Sequence, residues 1–142
     1  MTTIAIAGAT GAVGQQMLEC LKERNIQADL KLLASARSKG KEIDGHIVEE
    51  LTKDSFQGVD YVLGATGNDI TKMWMPWAKE AGCIVVLNAA PAIELPEECL
   101  SKVDILVVNE VEAEFYCHEK IDSVEKAKTE IKKMAEKYGF DI

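Results

Sequence analysis

The segment Thr3-Ile-Ala-Ile-Ala-Gly-Ala-Thr-Gly-Ala-Val-Gly14 constrains this chain more than any other. A run of small and β-branched apolar residues leads straight into glycines at 8, 11 and 14, and an amphipathic pattern follows from about Ala12 to Arg24. That order reads as strand, tight turn and helix. Val13, Met17, Leu18 and Leu21 share one helical face, and Gln15, Glu19, Lys22 and Glu23 the other. Each glycine has a separate reason. Gly8 lets the chain leave the strand sharply, Gly11 permits backbone to approach a pyrophosphate, and Gly14 brings the helix close to the sheet. Thr10 adds a hydroxyl donor.

The same alternation continues along the chain. Strands are expected at Asp29 to Ala34, His46 to Leu51, Val59 to Gly64, Cys83 to Leu87 and Asp104 to Val108, in addition to the first. Helices are expected at Asp69 to Ala81, near Glu97 to Leu100, at Glu110 to Cys117 and at Ser123 to Tyr138. In the second helix Met73, Trp74 and Trp77 read as a core stripe, with Pro76 near a kink or turn. In the last, Asp122 and Glu125 read as a capping box, and Val124, Ala127, Ile131, Met134 and Tyr138 as the apolar face. The expected fold is α/β: one domain over 1–142, a doubly wound, mostly parallel sheet of about six strands with helices on both faces, Rossmann-like. No internal repeat or linker stands out. The chain stops at Phe140-Asp141-Ile142, where a further strand would begin, so a continuation is expected.

Composition excludes several classes. With 142 residues, 16 basic against 24 acidic side chains and a net charge of -8, the chain does not suit tracking of nucleic-acid phosphates. Its longest apolar runs are strand-sized, far below the roughly 20 residues of a membrane span, and the start has no leader-like pattern. A cytoplasmic protein is expected. Cys20, Cys83, Cys99 and Cys117 form no CxxC pair, and His46 and His118 lie far from them in sequence. They read as free, buried or half-buried thiols rather than metal ligands.

At the end of the second strand a dinucleotide site that prefers NAD usually carries an acid, but here the residues are Ser35, Arg37 and Ser38. A guanidinium beside two hydroxyls suits the 2'-phosphate of NADP.

Gly8-Ala-Thr-Gly-Ala-Val-Gly14, Leu33-Ala-Ser-Ala-Arg-Ser38, Glu50-Leu-Thr52, Gly58-Val-Asp60 and Ala81-Gly-Cys-Ile-Val-Val86 together resemble the amino-terminal part of aspartate-semialdehyde dehydrogenases. The resemblance covers residues 1–87. It implies that Gly8, Thr10, Gly11, Ala12 and Val13 hold the NADP pyrophosphate, and that Ser35, Arg37 and Ser38 hold its 2'-phosphate. Residues 86–142 resemble a segment of ribokinase-type sugar kinases instead, through Leu87-Asn-Ala-Ala-Pro-Ala92 and Val103-Asp-Ile-Leu-Val-Val-Asn-Glu-Val-Glu-Ala-Glu114. There Asn109 and Glu112 match an Asn-x-x-Glu motif whose residues lie near magnesium and phosphate in that family.

Two resemblances meeting at an apolar strand imply a chimera, engineered or recombined, spliced at equivalent strands. Neither family's catalytic segment is present: the dehydrogenases' Asn-Cys motif and later histidine, and the kinases' Gly-Ala-Gly-Asp loop, are missing from these residues. The expected protein has no catalytic residues, at most weak NADP binding at the glycine turn, and no strong self-association. Two alternatives remain open. Tyr116 and Lys120 form the YxxxK pair of a small NADP-dependent oxidoreductase, and Asn109 with Glu112 would mark a magnesium- and phosphate-binding kinase remnant.

Overall fold

A computed structural model of the chain describes residues 1–88, 102–107 and 120–138. Its centre is a six-stranded sheet. The chain supplies β1 (Thr3–Ala7), α1 (Ala12–Glu23), β2 (Asp29–Ala34), the hairpin strands β3 (Glu42–Ile43) and β4 (His46–Ile47), and β5 (Glu49–Glu50). It continues through β6 (Tyr61–Gly64), α2 (Asn68–Glu80), β7 (Ile84–Asn88), β8 (Ile105–Val107) and α3 (Val124–Tyr138). The sheet order is β5-β2-β1-β6-β7-β8, with every pairing parallel. Progress along the sheet therefore reverses between β1 and β6. That is the strand order of dinucleotide-binding α/β domains, in which ligands sit in the crevice beyond the carboxyl ends of the strands at the reversal.

Alternation sends each strand's residues to two cores. Ile6, Leu32 and Ala34 face α1 and join Leu18 and Val48. Ala5, Ala7, Leu33, Val62, Val85, Leu87 and Leu106 face the other way, against Trp74, Met75 and Ala78 of α2, Phe56, and Met134 of α3. Helices thus cover both faces. Phe56 and Trp74 meet with ring centroids 5.9 Å apart. Two aspartates tie strand starts to their neighbours: Thr3 donates its amide to Asp60 Oδ2 at 2.8 Å, and Val85 donates to Asp104 Oδ2 at 2.8 Å. Lys79 from α2 adds an ion pair to Asp104 at 2.6 Å.

The expected third strand, His46 to Leu51, is instead two short pieces with different partners. Glu42 to Ile47 folds as an antiparallel hairpin around Asp44 and Gly45, both at positive φ (51° and 80°). Asp-Gly is the residue pair that such a turn selects. The chain passes through buried Val48 and only then joins β2 in parallel at Glu49 and Glu50. A short 3₁₀ turn, Lys53–Phe56, follows, capped reciprocally by Thr52 and Ser55.

Other differences are local. α2 runs on through exposed Pro76, and the carbonyl that loses its amide partner belongs to Lys72, itself an exposed residue. Within the expected α2 stripe Trp74 is fully buried and Trp77 partly so, whereas Met73 is 41% exposed. On α3 Ser123 provides the cap, its Oγ accepting the Lys126 amide at 3.1 Å, in place of Asp122. Val124 is 71% exposed, and Met134 with Ala135 carries the packing. The helices expected near 97–100 and 110–117 lie outside the described residues.

Candidate functional site

The carboxyl ends of β1 and β6 are joined to two turns that face each other. After β1 the chain turns at Gly8, whose φ of +88° a side chain would strain. The Gly8 and Ala9 amides both donate to the Leu33 carbonyl of β2, at 2.9 and 3.1 Å. α1 then opens at Gly11 without any side-chain cap and without an acidic residue in its first turn. Gln15 closes the first helical bond onto the Gly11 carbonyl at 3.0 Å, so the amides of Ala12, Val13 and Gly14 have no partner within the helix. Ala12 is exposed and Val13 half-exposed at this helix start, whereas Gly14 is buried; unpaired amides at the positive end of a helix favour an anion.

The glycines of this turn differ in what requires them. A Cβ on Gly14 would lie 2.2 Å from the Gly8 carbonyl oxygen and 2.8 Å from Ala9 Cα, both backbone atoms. A Cβ on Gly8 would lie 2.6 Å from the Ala65 oxygen. Internal packing therefore demands glycine at 8 and 14. Gly11 is another matter: its φ is -77°, its surroundings are open, and a Cβ would meet only the Gly8 oxygen at an ordinary 3.5 Å. Nothing inside the protein excludes a side chain there.

Next to this turn, across the β1–β2 pairing, lies the basic loop. Ser35, just before the short 3₁₀ turn Ala36–Ser38, and Arg37 within it are exposed, and Arg37 makes no ion pair among the described residues. Ser38 points inward at 8% exposure, and its carbonyl accepts the Lys41 amide. The fold thus brings Gly8, Thr10, Gly11, Ala12, Val13, Ser35 and Arg37 to one edge, with Ser38 as a support behind them.

The other turn was not anticipated. Gly64-Ala-Thr-Gly67 repeats Gly8-Ala-Thr-Gly11 letter for letter, an internal repeat visible in the sequence itself. It too links a strand to a helix, and α2 opens at Gly67 without a side-chain cap. Its Ala65 amide donates to the Ala7 carbonyl at 2.9 Å, locking the two turns side by side.

Elsewhere the described residues offer little chemistry. Cys83 is buried at the opposite, amino edge of β7 and donates to the Val59 carbonyl at 3.2 Å. Burial, with Asp60 adding and Lys79 opposing, pushes its thiol pKa up, the reverse of an activated nucleophile. Cys20 is exposed on α1. No cluster of metal-ligating side chains occurs among the described residues, and no helix there is long and apolar enough to cross a membrane. Asn109, Glu112 and Tyr116 lie outside the described residues, and Lys120 is exposed.

The family model for the semialdehyde dehydrogenase NAD binding domain matches residues 3–117. The chain belongs to that family. It is 41% identical over 99 residues to aspartate-semialdehyde dehydrogenase from Synechocystis sp., a match covering 66% of this chain and 29% of the relative. Curated relatives of this kind are thus more than three times as long as the stretch they share with it. Among solved structures, aspartate semialdehyde dehydrogenase II from Vibrio cholerae, complexed with ASA, superposes with a TM-score of 0.62 at 30% identity, covering 84% of this chain and 46% of that one. The Candida albicans enzyme, solved with NADP, gives a TM-score of 0.51 at 25% identity over 63% of this chain and 30% of that one.

These likenesses support one source for the chain, not two. The family match passes without a break through the expected seam at residue 87 and through Asn109 and Glu112. β7, which carries Leu87, pairs in continuous parallel register with both β6 and β8. Nothing in these comparisons matches residues 86–142 to a sugar kinase. The chimera and its kinase segment have no support.

Proposed function

We propose that the described carboxyl edge holds a pyridine dinucleotide, NADP in preference to NAD. The observation that carries this reading is Gly11: a glycine that neither backbone angle nor internal contact requires, placed at an uncapped helix start beside the amides of Ala12 and Val13, which have no partner within the helix. Its missing side chain leaves room for something from outside to touch the backbone. A pyrophosphate fits that space and that charge. Ala12 and Val13 would supply amides to it, and Gly8 and Thr10 would shape the turn around it. Arg37 and Ser35, exposed at the end of β2, would hold the 2'-phosphate, with Ser38 fixing their loop.

A bound dinucleotide supplies a hydride acceptor or donor. The residues named above would bind and orient it, and the buried Cys83 thiol, with its pKa raised, is not an activated nucleophile. We therefore read the chain as the cofactor-holding part of semialdehyde dehydrogenase chemistry, on the strength of its family.

The test is calorimetric titration of the folded protein with NADP+ and NAD+. NADP+ is expected to bind more tightly, and Arg37→Ala to remove the difference between the two. A well-folded protein that binds neither, or binds both equally, would end this reading.

A further inference from the structure

The second Gly-Ala-Thr-Gly turn is held from behind by a closed relay of hydrogen bonds. Trp74 donates its indole N–H to Thr66 Oγ1 at 2.8 Å. Thr66 Oγ1 and Thr71 Oγ1 are 2.7 Å apart, and Thr71 Oγ1 donates to the Thr66 carbonyl at 3.1 Å. Counting hydrogens orders the relay. Thr71 has one hydroxyl hydrogen and gives it to the carbonyl, so the short bond between the hydroxyls is donated by Thr66. Indole N–H, Thr66 hydroxyl, Thr71 hydroxyl and Thr66 carbonyl then follow head to tail. Thr71 is 1% exposed and Trp74 0%, so water can reach the relay only from the Thr66 side.

What the relay fixes is a wall of the glycine turn. A Cβ on Gly8 would meet not only the Ala65 oxygen but also Thr66 Cγ2, at 3.1 Å. Any swing of Thr66 changes the space above Gly8. A dinucleotide lying with its 2'-phosphate at β2 and its pyrophosphate over Gly11 must send its remaining half toward β6 and this wall.

We propose that Thr71 and Trp74 are positioning residues for the cofactor: they hold Thr66 against Gly8 and thereby set the grip on the nicotinamide half. The inference rests on the cofactor reading above. Neither residue touches the ligand. They act by keeping the turn ordered in the free protein, so that binding does not have to order it.

Two probes separate this role from simple stability, NADP+ and adenosine 2',5'-bisphosphate, which lacks the nicotinamide half. Both are titrated into the full chain. Thr71→Val keeps the shape and removes the hydroxyl. It is expected to weaken NADP+ roughly three- to tenfold, the worth of one hydrogen bond, while leaving the bisphosphate unchanged. Thr71→Ser is expected to restore NADP+ affinity. Thr66→Val, on the half-exposed turn, breaks the same relay and gives the same split should Thr71→Val fail to fold. Equal weakening of both probes, or of neither, overturns the positioning role while the cofactor reading stands. Wild-type protein that binds neither probe removes both.

Discussion

Gly14→Ala tests the packing of the glycine turn against its binding function. The new methyl carbon starts 2.2 Å from the Gly8 oxygen and 2.9 Å from its carbonyl carbon, where ordinary contact begins at 3.4 Å. Neither side can yield cheaply. The Gly8 turn is pinned by the bonds of its own amide and that of Ala9 to Leu33, and α1 is anchored by buried Leu18. Overpacking of this kind costs about 1–3 kcal/mol, and rigid backbone on both sides places it near the upper end. Alanine returns up to about 1 kcal/mol of helix propensity. The net loss is about 2 kcal/mol, which lowers Tm by roughly 6–8 °C in a domain of this size. Gly11→Ala is the control. Its methyl group meets only one atom at 3.5 Å, so the melt should move by no more than about 2 °C. Its NADP+ affinity should nevertheless fall at least about tenfold, because the methyl occupies the pyrophosphate's approach. Thermal melts followed by circular dichroism, with titration calorimetry on the same samples, read both effects. An unchanged melt for Gly14→Ala would refute the packing argument, and undiminished binding by Gly11→Ala would refute anion binding at this helix start.

Three further outcomes follow from named contacts. With its thiol buried and its pKa raised, Cys83 should resist alkylation in the native state while exposed Cys20 reacts, as peptide mass spectrometry would show. Because the folded state keeps the Cys83 proton more tightly than the unfolded state, the contribution of Cys83 to stability should be constant below the ordinary thiol range and decline as pH rises above about 8.5. A melt that gains stability there would contradict this sign. Asp104→Asn retains an acceptor for the Val85 amide and loses only the partly exposed Lys79 pair, so it should cost no more than about 1 kcal/mol in denaturant unfolding. Asp104→Ala loses both contacts and should cost more than Asp104→Asn.

The sequence shows most clearly those elements whose pattern has only one physical explanation. β1 and β2 fall where apolar alternation puts them, and α1 starts at Ala12 because glycines at 8, 11 and 14 dictate both the turn and the close helix. Glu42 to Glu50 is harder, since one extended stretch changes partner at Val48 from an antiparallel hairpin to a parallel strand. Its one clear local sign is Asp44-Gly45. The first half of the site is legible for the same reason as α1, and the basic loop because Arg37 stands where an acid would otherwise serve. The second turn escapes a fingerprint search because Ile70 occupies the place that Gly14 holds in the first. Its supports, Thr71 and Trp74, look in sequence like any inward face of a helix. Only the neighbouring position of Thr66, five and eight residues before them, gives those polar atoms a purpose.

The reversal of the sheet at β1 also governs the order in which the protein can assemble. β1 acquires β2 early, across one helix, but its other neighbour is β6, more than fifty residues along, where Asp60 finally receives the Thr3 amide. A chain emerging from the ribosome must therefore carry its central strand for a time as an edge, with one row of amides and carbonyls open to any passing strand. That edge is closed only when β6 has emerged and paired with β1.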